Sequence, residues 1–149
     1  MGHMNIRLVT LTFDAAGQGE KTEYTYRGHY EERSGRCRLL WQREEEGIVT
    51  KTVLSFDAQA RQTVSMQQTG GCESLMCFTP GEEQESLYRV PGAGEFALTV
   101  RTEQVENELS PTGGRLRLAY RMHLGGARQR IILTLTAAQD GDGNGCNRR

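Results

Sequence analysis

No run of apolar residues in this 149-residue chain approaches the roughly 20 needed to cross a bilayer as a helix. No charged-then-apolar leader opens it, so export by the usual signal is not expected. An excess of one charge is missing too: 18 Lys and Arg stand against 19 Asp and Glu, for a formal net charge of −1. The field of the whole molecule therefore selects neither a polyanion nor a membrane, and only a local patch could do so. Histidine is scarce, at three residues. His3 lies in the opening Met1-Gly2-His3-Met4, which reads as an expression scar (residues 1–4) and is set aside. His29 and His123 fall among outward-facing residues with no nucleophile in a recognisable motif nearby, so both read as surface histidines.

Helical periodicity is also lacking, whereas two-residue alternation recurs throughout. Residues 115–124, RLRLAYRMHL, put Leu116, Leu118, Tyr120, Met122 and Leu124 on one face. Arg115, Arg117, Ala119, Arg121 and His123 take the other, as on a half-buried antiparallel strand. Ile131, Leu133 and Leu135 continue in phase on the next run. Upstream, strands are marked by Val9, Leu11 and Phe13, then Tyr24, Tyr26 and Tyr30, Trp41, Leu54 and Phe56, Val64 and Met66, and Met76 and Phe78. Gly, Pro, Ser and Asp punctuate the gaps. Short strands so regularly spaced predict one all-β domain over residues 5–138, a meander of about eight to ten strands closed into a barrel that leaves no exposed edge. The Gly/Asp-rich residues 139–149 read as a disordered tail.

Turn geometry tests the reading. A two-residue turn at Gly125-Gly126 sets Tyr120 opposite Ile131, Leu118 opposite Leu133 and Leu116 opposite Leu135, all on the apolar face. A four-residue turn over 111–114 sets Leu109 against Leu116 and Glu108 against Arg117. A three-residue turn over 91–93 pairs Val90 with Gly94, Arg89 with Glu95, and Tyr88 with Phe96.

The order Met76-x-Phe78, SLYRVP, Gly94-x-Phe96-x-Leu98-x-Val100-x-Thr102 and Gly113-Gly114-x-Leu116-x-Leu118-x-Tyr120 resembles the YwiB-like family of uncharacterised bacterial proteins. The resemblance implies a calycin-like (lipocalin-like) β-barrel and a bacterial, cytoplasmic setting. It brings no activity, substrate or catalytic residue. The family's turn, Tyr, any residue, Thr, Pro, aromatic, Gly, is here Tyr88-Arg89-Val90-Pro91-Gly92-Ala93-Gly94, one residue longer, without the Thr or the aromatic.

Most local motifs carry no chemistry. Asp140-Gly-Asp142-Gly-Asn144-Gly145 begins a calcium loop, but the chain ends at Arg149 before the bidentate Glu that completes one. Cys37, Cys72, Cys77 and Cys146 are expected as free thiols of a reducing cytoplasm, and zinc at Cys72-x4-Cys77 with Cys37 or His29 is not expected, since that spacing points the two thiols to opposite faces of a strand. Glu44-Glu45-Glu46 reads as a solvated turn, and Gly92-x-Gly94 opens a strand rather than a helix, so neither a metal nor a cofactor is expected.

Two candidate sites remain. The barrel interior gathers Trp41, Met66, Met76, Phe78, Tyr88, Phe96, Leu98, Leu118, Tyr120 and Met122, with Thr102, Thr50 and Thr52 as polar inward positions. Aromatic and methionine side chains of this kind suit a small, largely apolar ligand, which a barrel of about eight strands can hold. On the outside, Arg115, Arg117, Arg121, His123, Arg128 and Arg130 form a basic stripe in which Arg121 faces Arg130 and His123 faces Arg128. That stripe suits an acidic protein or RNA. No set of nucleophile, base and oxyanion donor is present, so a non-enzymatic binding protein is expected.

Overall fold

The computed structural model describes residues 2–139, so the calcium-like run, Cys146 and all of the expected tail except Gln139 lie outside it. The described residues form β1 (Gly2–Phe13), β2 (Gly19–Arg33), β3 (Arg36–Glu45), β4 (Ile48–Asp57), β5 (Ala60–Gly70), β6 (Ser74–Phe78), β7 (Glu83–Val90), β8 (Gly94–Asn107), β9 (Gly113–Leu124) and β10 (Ala127–Gln139). They make one ten-stranded antiparallel sheet in meander order, with β1 paired to β10. Each strand pairs with its neighbours in sequence except β6 with β7, and pairing of the first with the last rolls the sheet into a barrel. No helix among the described residues is long and apolar enough to cross a membrane.

The domain begins earlier than expected. Gly2, His3 and Met4 are part of β1, and Met4 is fully buried opposite Gly28. The inward face of β1 is Met4, Ile6 and Leu8 rather than the Val9, Leu11, Phe13 set, because that phase joins the common core. At the other end β10 runs through Gln139.

Register in the last hairpin is as turn chemistry dictates: Tyr120 opposes Ile131, Leu118 opposes Leu133 and Leu116 opposes Leu135. The hairpin before it differs. Asn107, not Leu109, opposes Leu116, and Glu106, not Glu108, opposes Arg117. Ser110 and Gly113 exchange both backbone hydrogen bonds, so the turn is the two residues Pro111-Thr112 rather than four. A shift of two keeps every side chain on its face, which is why pattern alone did not detect it. Gly114 makes the tight turn possible: its φ is +138°, and a Cβ there would strike the Glu108 carbonyl.

The barrel is nearly, not fully, closed. Between β6 and β7 the sole bridge joins Glu73 and Arg89, through backbone bonds of 2.7 and 2.8 Å. Arg89 opposes Glu95 as the turn length predicts, and its guanidinium takes the Glu73 carboxylate across the seam. Farther along the seam, the Cys77 N–H donates to the Gln84 side-chain oxygen at 2.7 Å in place of a ladder bond.

Candidate functional site

In an antiparallel meander alternate turns gather at opposite ends. The turns after β1, β3, β5, β7 and β9 rim one end, here the upper, and those after β2, β4, β6 and β8 rim the lower. The lower end is shut. Arg61 lays its guanidinium over the Phe56 ring, 4.9 Å from the centroid, and donates to the Asn107 and Leu109 carbonyls on the far side of the barrel. Asn107 returns a bond to the Arg61 carbonyl at 3.1 Å, and Leu109 is buried beside it.

The inward faces grade upward from there. On β9, Leu116, Leu118 and Tyr120 are buried while Met122 and Leu124 are half-buried. On β3, Cys37, Leu39 and Trp41 are buried and Arg43 is half-buried. On β10, Leu135, Leu133 and Ile131 give way to half-buried Gln129, and on β2 buried Tyr30 gives way to half-buried Tyr26. The lower half is therefore packed solid, and on these four strands the upper half is less buried, whereas Leu98 and Val100 on β8 and Thr50 and Thr52 on β4 stay buried toward the upper end.

The expected lining residues divide along this gradient. Met66, Phe78, Thr102, Leu118 and Tyr120 are buried in the packed part, where the Phe78 and Tyr120 rings meet at 4.8 Å across the lumen, and Leu98 is buried at the upper end. Burial raises the Tyr120 hydroxyl pKa far above its ordinary value. Trp41 is a buried wall, and Met76, Tyr88 and Met122 are half-buried above the floor. Phe96 does not line the interior. It keeps its pairing with Tyr88 but is 41% exposed, because β8 runs past Leu98, which already opposes Leu124 at the end of β9.

Several upper-lumen groups escaped the sequence reading. Tyr26 stacks on Trp41, with centroids 6.0 Å apart and planes at 20°. Arg43 lies one step above Trp41 in phase, opposite buried Thr50, and was obscured by the acidic run that follows it. Its partner is Glu45, Nε to Oε1 at 3.3 Å. The Gln68 side-chain oxygen accepts from Cys72 at 3.4 Å and from Ser74 at 3.3 Å, both buried. Burial raises the pKa values of the Tyr26 and Tyr88 hydroxyls, and the charge of Arg43 opposes that rise at both. One guanidinium thus acts on phenols brought by β2 and β7. The signal was available: Trp41-x-Arg43-x-Glu45 is a continuous inward phase.

The outer stripe has the expected register, Arg121 opposite Arg130 and His123 opposite Arg128, and Arg101 extends it from β8. Its charges are not bare. A bulge between Thr102 and Gln104 frees Glu103 to bridge Arg121 at 2.8 Å and Arg130 at 3.1 Å. These bonds, the Arg121 one first, hold the Glu103 carboxyl below its usual pKa. Arg115 meets Glu106 at 4.0 Å, Arg117 donates to Gln104 at 3.0 Å, and Arg101 meets Glu83 at 3.9 Å. The neutralising carboxylates are thus Glu103, Glu106 and Glu83. Beside the stripe an open groove of about 740 Å³ is lined by Phe13, Arg101, Arg121, His123, Arg128 and Arg130, among others.

The sequence model of a family described as Domain of unknown function (DUF1934) matches residues 6–132. Among solved structures the chain is similar to the YwiB protein from Bacillus subtilis, with a TM-score of 0.78, 20% sequence identity and 92% of each chain covered. No curated protein matches the chain.

Proposed function

The chain belongs to the DUF1934 family, a domain of unknown function, and from that premise we propose that it is a cytoplasmic, non-enzymatic protein binding a small, largely apolar molecule in the upper half of its barrel. The observation that supports this is the burial gradient along the inward faces of β2, β3, β9 and β10. The packed lower half and the Arg61 plug form a floor, while Tyr26, Met76, Tyr88 and Met122 stand above it half-buried and in contact with the core. Apolar side chains left partly wet on a concave, one-ended surface gain by covering, at about 25 cal/mol per Å² removed from water. Buried Thr50, Thr52 and Ser74 add polar points by which a ligand is oriented.

Native mass spectrometry of the full chain purified from its own host tests this. The expected result is a retained adduct of defined mass that is displaced by phenylnaphthylamine, with quenching of Trp41, the chain's only tryptophan. A bare protein whose Trp41 emission ignores phenylnaphthylamine refutes the reading.

The arginine-lined groove favours a second reading, an interaction module for an acidic protein or RNA. Binding would have to compete with Glu103, Glu83 and Glu106 for most of the cations. Replacing Arg121 and Arg128 with Ser should then weaken retention of RNA and acidic baits, and unchanged retention discards this reading.

A further inference from the structure

We infer that the molecule held in the upper lumen carries an anionic group on a planar apolar body, and that Arg43 is the residue that selects it. The inference rests on the binding role proposed above and adds the ligand's chemical class.

Four observations lead to it. First, among the described residues Arg43 is the one cation whose strand phase carries it into the upper half of the lumen: Cys37, Leu39 and Trp41 precede it on the inward face of β3. Arg61, the other arginine reaching across the interior, is engaged by backbone carbonyls in the lower plug. Second, the acidic partner of Arg43 is weakly held. Glu45 is 67% exposed and meets the guanidinium at Nε, 3.3 Å away. Exposed pairs of this type contribute little and exchange readily, whereas a planar guanidinium is suited to take a carboxylate, phosphate or sulfonate through paired hydrogen bonds.

Third, β2 and β7 supply further hydroxyl donors. Arg43 acts electrostatically on the hydroxyls of both Tyr26 and Tyr88. Ser86 lies two residues before Tyr88 on β7, and its hydroxyl oxygen is buried with no hydrogen-bond partner. An unpartnered buried hydroxyl is destabilising unless something bonds it. Fourth, the walls suit a flat apolar body. Tyr26 and Trp41 are stacked at 6.0 Å, and Met76 and Met122 supply adaptable surface.

Glu45 is then an internal counter-ion that an incoming anion displaces. This fixes opposite signs for two substitutions. Removing the cation should weaken an anionic ligand, and removing its competitor should strengthen it.

The test uses two dyes of matched aromatic body, anilinonaphthalene sulfonate (anionic) and phenylnaphthylamine (neutral). Both are titrated into the folded full chain, with Trp41 quenching reporting occupancy of the lumen. Arg43→Gln should weaken the sulfonate about tenfold or more while moving the neutral dye less than about twofold, as loss of a charge-assisted hydrogen bond predicts. Glu45→Gln, on the exposed rim and so without risk to folding, should tighten the sulfonate about threefold and leave the neutral dye unchanged. Equal effects on the two dyes, or no effect of either substitution on the sulfonate, overturn the inference while the binding role stands. Failure of both dyes to quench Trp41 in the parent protein overturns the two together.

Discussion

Replacing Glu103 with Gln removes the carboxylate that lies between Arg121 and Arg130 and leaves two opposed guanidinium groups with no charge between them. The geometry sets the scale. Glu103 gives one oxygen to each arginine, at 2.8 and 3.1 Å, while Arg121 is directly across from both Arg130 and Arg101. Both arginines are largely exposed, so each pair is worth about 0.2–1 kcal/mol after solvent screening. The uncovered like-charge pair costs a further 0.2–1 kcal/mol or so. The expected loss is about 1–2 kcal/mol in urea unfolding at low salt. At about 1 M salt, where the Debye length is roughly 3 Å, the loss should fall to less than half. Acid gives a second signature. The folded-state pKa of Glu103 is depressed, chiefly by the Arg121 hydrogen bond, so its contribution is fully present above the unfolded value of about 4.3 and is lost as pH falls below that toward the folded value. Glu103→Gln should erase that part of the acid dependence. Adding Arg130→Ser should restore only the like-charge part of the loss, about 0.2–1 kcal/mol. A low-salt loss that persists undiminished in high salt, or no loss at all, would refute the electrostatic account.

Arg61→Lys should cost about 1–3 kcal/mol and lower the melting temperature by several degrees, since an ammonium cannot both cover the Phe56 ring and reach the Asn107 and Leu109 carbonyls. An unchanged melting curve would mean that the lower end closes without this plug. Gln84→Leu should speed amide exchange at Cys77 and along β6 while sparing β9 and β10, because the Gln84 side chain supplies the bond that the seam ladder lacks there. Uniform exchange across the sheet counts against a weak seam. Gly114→Ala should destabilise by well over about 2 kcal/mol, and Gly126→Ala by less, because both glycines have positive φ but only the Cβ at 114 meets backbone. Denaturant midpoints for the pair separate strain from clash, and equal losses would show that φ alone decides.

The barrel itself was legible because its inward and outward residues alternate along most of its strands and its turns are short. Tyr88 opposite Phe96 and Leu118 opposite Leu133 follow from turn length alone. What period two cannot register is an even shift or a bulge. The two-residue shift after β8 left every side chain on its own face, and the extra residue at Glu103 placed a carboxylate where alternation gave none. Position along the barrel axis is equally invisible to a face pattern. Phe96 has the right phase and the wrong height, and its exposure follows from where β9 happens to end. Arg43 was missed for a different reason. Its neighbours Glu44, Glu45 and Glu46 make the segment look solvated, although Trp41 two residues before it fixes the phase.

Once the direction of each strand is known, the composition of the inward faces says why the upper half is built differently. Downward along β4 the faces read Thr50, Thr52, Leu54, Phe56, and along β5 from the same end Gln68, Met66, Val64. On β1 the same direction gives Thr12, Thr10, Leu8, Ile6. A core selected only for stability would place Val where Thr stands, since an isostere without the hydroxyl avoids desolvating it. Thr102 separates the two cases, because its hydroxyl is buried without a partner at the boundary between packed floor and open lumen. Thr102→Val should therefore raise stability by about 1 kcal/mol in the ligand-free protein. If the upper lumen holds a ligand that reaches this depth, the same substitution should weaken its retention, so stability and binding move in opposite directions. A variant that loses stability instead would mean that the hydroxyl is already satisfied, and that the polar faces above it belong to a water-filled funnel rather than to a site.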